Sequence, residues 1–127
     1  MKKLLITTAL IELTTGLLLI PFPSVMATIL FGSPIDSPVA LIIARVAGVA
    51  LISMGIACWL ARDEKQGKAV KGLVTAMTVY NIGVIVILIY AGIILGLSGI
   101  GLWPVVVVHL AMAFWCILGL IKNDSKP

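Results

Sequence analysis

Apolar residues in this chain come in four long runs, and the polar residues between them set where each run stops. The runs extend roughly over 4–20, 39–60, 69–95 and 103–121. Each is near the ~20 residues that a helix rising 1.5 Å per residue needs to cross about 30 Å of hydrocarbon. The pattern predicts an all-α protein, a polytopic membrane four-helix bundle whose consecutive spans run up, down, up and down. One transmembrane domain over 1–127 accommodates it, because no repeat, linker or low-complexity tract breaks the chain.

The links carry their own signals. The stretch 21–38 is rich in Pro and Ser at its ends, but Val25, Met26, Ile29 and Leu30 recur at helical spacing and stop at Gly32. That predicts a short interfacial helix on the outer surface. Ser37 followed by Pro38 reads as an N-cap and first helical position, with Asp36 placed to favour the helix dipole. The other outer link, 96–101, is glycine-rich and gives way to Trp103 and Pro104, a belt aromatic and a helix-opening proline. Trp59 is the matching interface anchor at the opposite face.

Charge turns the pattern into an orientation. Of nine Lys and Arg, eight lie outside the runs or at their very edge: Lys2 and Lys3 at the start, Arg62, Lys65, Lys68 and Lys71 around the middle link, Lys122 and Lys126 at the end. The links 21–38 and 96–102 have none, so the positive-inside bias puts both termini and the middle link of this multi-pass membrane protein in the cytoplasm. Met1 to Ala27 also imitates a signal peptide with a cleavage site. Glu12 in its apolar stretch, and the agreement between four spans and the charges, favour a retained helix.

The composition, 61% hydrophobic and 11% charged, is far from that of a soluble domain. The net charge of +4 is divided among three margins, which points to anionic headgroups as counterpart and away from nucleic acid. Cys58 and Cys116 are not in a CysXaaXaaCys pair and read as small packing residues, as Met54, Met77 and Met112 read as core filler.

Ionisable residues within the runs are the candidate site. Glu12, Arg45 and His109 lie six to eight residues from the outer ends of their helices, at depths of roughly 9–12 Å, so an acid, a guanidinium and an imidazole can meet beneath the outer surface. Thr8 and Thr15 share the face of Glu12, and Gly48 follows Arg45 by three. If Glu12 pairs with Arg45, His109 is left to titrate near neutral pH, and the trio can bind an anion or polar headgroup or pass a proton. Equally, Arg45 can snorkel to the surface, His109 cap a carbonyl and Glu12 pin helices together. Asn81 lies deeper, beside Tyr80 and a turn beyond Thr78; its common role is an interhelical hydrogen bond worth about 1 kcal/mol, and ligand binding is the alternative. Gly48 and Gly55, with Ala44, and the pair Gly92 and Gly96 are small residues that let helices approach, within one chain in preference to a dimer.

A single His and no cluster of Cys, Asp and Glu leave no zinc or bis-His haem site, and no hydrolase, phosphate-loop or dinucleotide motif occurs. No cofactor is expected, and any catalysis has only Glu12 and His109 to use. The segments Glu12 to Pro21 and Ala44 to Gly55, the latter with Arg45 followed by Gly48 and Gly55, resemble small four-helix bacterial membrane proteins of the DoxX-like type and related uncharacterised families. The resemblance implies an inner-membrane protein, in some members associated with quinone-linked or thiol redox systems; the cysteine pair expected of the thiol-linked ones is missing here.

Two functions from different classes follow. One is an integral accessory or scaffold protein without catalysis, meeting a membrane protein partner or a second copy. The other is a membrane binding protein for a small amphiphile or anion, such as a quinone or lipid headgroup, using Glu12, Arg45, His109 and Asn81. The lack of catalytic groups favours the first. A transporter component acting as an oligomer ranks third, since the chain shows no inverted repeat.

Overall fold

A computed structural model describes residues 1–64 and 67–124, with the side chains of 123 and 124 left aside; Lys65 and Lys126 of the basic margins lie outside these described residues. Among them are five helices and no strand: α1 (Lys2–Leu19), α2 (Pro23–Phe31), α3 (Pro38–Ala61), α4 (Lys68–Ile93) and α5 (Leu102–Asp124).

Local chemistry explains where each helix begins and ends. Proline at 21 cannot continue α1, and Pro23 at the first turn of α2 restarts the helix in a new direction, 113° away. The short helix expected between the first two runs is therefore present. It ends at Gly32, whose φ of 77° is the left-handed conformation that a residue without Cβ adopts at no steric cost. Ser37 caps α3 as expected, its hydroxyl accepting the Ala40 N–H at 3.4 Å.

Helices α3, α4 and α5 are each long and apolar enough to cross a membrane. Because α1 carries Lys2, Lys3 and Glu12 in eighteen residues, it meets that standard only together with α2. Three of the four runs are thus candidate spans, and a fourth is reached only where α1 and α2 count together as one bent span.

The helices associate as two antiparallel pairs, α1 with α3 and α4 with α5. Backbone proximity holds the first pair: a Cβ built on Gly16 would stand 2.6 Å from the Gly48 carbonyl oxygen, and one on Gly55 would stand 2.7 Å from the Leu13 side chain. Both expected packing glycines of α3 are consumed inside the chain. Gly92 acts similarly in the second pair, facing Leu102 and Trp103. Gly96 does not pack. It lies beyond the end of α4 with φ 67° and open space around its Cβ position, so the Gly92–Gly96 packing pair is corrected to one packing glycine and one turn glycine.

The pairs are joined at both ends by different means. At the end holding Met1 and the α3–α4 turn, Leu4, Leu5 and Ala9 of α1, Cys58 of α3, Val74 and Met77 of α4 and Met112 and Cys116 of α5 form one buried core. The two cysteines are free and buried there, as packing residues would be. At the other end α2 bridges the pairs, setting Leu30 and Phe31 against Ile85, Leu88, Val106 and Ala113. The glycine-rich link completes this lid: Gly99 and Gly101 donate their N–H groups to the Leu30 and Ile29 carbonyls at 3.2 and 2.8 Å, satisfying the last turn of α2.

Candidate functional site

Clasped at one end and bridged at the other, the helix pairs leave a cavity of about 440 Å³ between them, within the range of small-molecule sites. Ala44, Ala47, Ala50 and Leu51 of α3 form one wall, Val84 and Leu88 of α4 with Val105 of α5 the opposite one, and Met26, Ala27 and Leu30 of α2 the roof. The small side chains of α3 make the space. Ala47 and Ala50 are exposed and so stand at its margin. Among these apolar surfaces the polar lining groups are Thr15, Tyr80 and His109.

His109 is held by a short relay. Asn81, 3% exposed on α4, donates its side-chain amide to the Met77 carbonyl one turn earlier at 2.7 Å, and its Oδ1 lies 2.8 Å from His109 Nδ1. Tyr80 stands edge-to-face against the imidazole, ring centroids 5.8 Å apart and planes at 73°. The amide and the aromatic ring together fix where the imidazole points. Asn81 thus makes the interhelical hydrogen bond expected of it, and with His109. The contact puts the Asn81 side chain at the level of the His109 ring, which corrects the greater depth expected for it.

The expected meeting of Glu12, Arg45 and His109 takes a different form. Arg45 is exposed and donates through Nε to the Ile20 carbonyl at 3.2 Å, at the C-terminal end of α1. It serves there as a cationic cap for the orphan carbonyls and the negative end of the helix dipole. Glu12 is 6% exposed and makes no ion pair with Arg45; among the described residues its carboxyl has neither hydrogen-bond nor ion-pair partner. One turn before it, the buried Thr8 hydroxyl also lacks a partner. Of the trio, His109 alone lines the cavity.

Four participants are not legible as such in the sequence. Tyr80 was visible only as a neighbour of Asn81, Gly16 sat among leucines without the GlyXaaXaaXaaGly spacing, and Ala47 and Ala50 are ordinary residues for an apolar helix. The anchors behave individually: Trp59 accepts the Arg62 guanidinium over its ring at 4.2 Å, and Trp103 covers Gly92. Among the described residues no group of three His, Cys, Asp or Glu side chains can hold a metal ion.

Compared with family models, with curated proteins and with solved structures, the chain finds no match in any of the three. The functional reading therefore rests on its own geometry.

Proposed function

We propose that this protein is a four-crossing integral membrane protein that holds a small amphiphile in the cavity between its two helix pairs. The observation that carries the reading is the cavity itself: apolar walls, a volume suited to one small molecule, and an oriented imidazole as the polar feature. That combination describes a site for a largely apolar molecule with one polar group. It reverses the order in which the accessory and binding functions stood on sequence grounds, and it replaces the acid–guanidinium–imidazole trio by His109, Asn81 and Tyr80.

Helix α1 is the fourth crossing in this proposal, because it runs antiparallel to α3 and turns Glu12 inward, away from lipid. The basic margins favour a cytoplasmic location for both termini. Lys2 pairs with Asp63, and Met1 touches Gly119 near Lys122, so these residues share one end of the molecule. A plasma membrane location is part of the same proposal. The DoxX-like resemblance rests on two segments of residues and adds nothing to the choice of ligand.

An accessory role keeps one specific support. On α4, the exposed Gly72 and Ala76 and the half-buried Gly83 share a face, and a Cβ on either glycine meets nothing within 4 Å, which leaves room for a partner helix.

Binding is tested by thermal unfolding in lipid nanodiscs with 4-hexylphenol as probe. At a hundredfold excess over its Kd a bound ligand stabilises the fold by about 2.7 kcal/mol. The wild type is expected to show such a rise and Ala47→Phe, which fills the cavity, to lose it. No rise in the wild type, or an equal rise in the variant, refutes the proposal.

A further inference from the structure

Resting on the cavity reading above, we infer that the site selects a ligand whose polar head donates a hydrogen bond, such as an alcohol, phenol or quinol, over one whose head only accepts. The argument starts two hydrogen bonds away from the cavity. Met77 is a backbone carbonyl and can only accept, so the Asn81 group facing it at 2.7 Å is the NH₂ and the group facing His109 is the carbonyl oxygen. A carbonyl oxygen is also only an acceptor. The 2.8 Å contact is therefore made by a proton on His109 Nδ1.

A neutral imidazole carries one ring proton. With that proton committed to Asn81, Nε2 holds a lone pair, and no protein donor meets it among the described residues. His109 lines the cavity, and its Nδ1 edge is turned to α4, so the Nε2 edge is the one left for a ligand. The chain thus presents an acceptor among apolar walls, in a half-open cavity where an unmatched polar group is costly. A head with an O–H satisfies it. A carbonyl or ether head sets one acceptor against another. Tyr80, on the same wall, has a hydroxyl that both donates and accepts, so it does not discriminate; the choice falls to His109. For a redox-active amphiphile this means preference for the hydroxyl-bearing quinol over the quinone.

The chain has one histidine, so ¹⁵N-histidine labelling gives a single pair of ring nitrogens to follow in nanodiscs. The measurement is made at pH 8, above the ordinary imidazole value of about 6.5. Expected are a protonated Nδ1 and an unprotonated Nε2 in the free protein. Adding 4-hexylphenol should move the Nε2 resonance towards that of a hydrogen-bonded acceptor, while its methyl ether should leave it in place and bind about tenfold or more weakly. In Asn81→Ala, which frees Nδ1, the phenol-to-ether ratio should fall towards one. A protonated Nε2 in the free wild type, equal binding of phenol and ether, or a preserved ratio in folded Asn81→Ala overturns the head-group inference while leaving a binding cavity. Failure of both probes to bind removes the cavity reading itself. If Asn81→Ala does not fold, the wild-type spectra and affinities decide.

Discussion

Glu12 shows how a single side chain divides sequence from structure. Its apolar surroundings mark it as unusual, and Arg45 on the next span is the obvious counter-ion. Whether the two meet depends on rotation and stagger of α1 against α3, which Gly16 and Gly48 set by backbone contact. Arg45 ends up beside the Ile20 carbonyl, leaving Glu12 buried without a partner. A buried polar group without a partner costs roughly 1–3 kcal/mol, so Glu12→Met is expected to raise stability by an amount of that order. Thermal unfolding checks it; a fall in stability means that Glu12 has a partner. Gly16 supports a contrasting pair of substitutions. A Cβ there would meet backbone of α3, which cannot step aside, and Gly16→Ala should cost about 1–3 kcal/mol. Gly72, with nothing within 4 Å, should accept Ala with no loss. Equal effects of the two substitutions contradict the packing of α1 on α3.

Helices and their caps were the most readable part of the chain. Ser37 and Pro38 start α3, Gly32 ends α2, and the apolar runs agree with α3, α4 and α5 to within a few residues. These features are local, set by one residue's φ or one side chain's hydrogen bond. What holds helices to each other is non-local and less readable. The Lys2–Asp63 pair joins the start of α1 to the end of α3 across sixty-one positions. Its hydrogen bond, aided by the charges of Lys2 and Arg62, holds the Asp63 carboxyl below its ordinary 3.8. A carboxyl held down stabilises the fold above its unfolded-state value, and the contribution is lost as pH falls through the lowered one. Unfolding temperatures of wild type and Asp63→Asn should therefore differ at pH 7 and converge on acidification below about pH 4. A gap that persists at pH 2 means that Asp63 acts by something other than its charge. The pair is exposed, so the gap should also shrink in high salt.

The molecule as a whole is two tight hairpins with different joints at their two ends. A packed core closes the basic end, while the other end is bridged by a short helix and a glycine-rich link, and that asymmetry leaves the cavity. No run of residues announces such a space. It arises where α3 offers alanines and α2 bridges the pairs, so the sequence marks polar groups near it, such as His109 and Asn81, and not the space itself. The location of a bound amphiphile is the observation on which everything else depends. Photolabelling in nanodiscs with a diazirine derivative of 4-hexylphenol, read by peptide mass spectrometry, reports it. Labels concentrated on Ala44, Ala47, Ala50 and Leu51 of α3 and on Val84 and Val105 are the expected result. Labels spread evenly over exposed positions such as Ile42, Val46, Val86 and Val107 would show an amphiphile dissolved in the surrounding lipid and no occupied cavity.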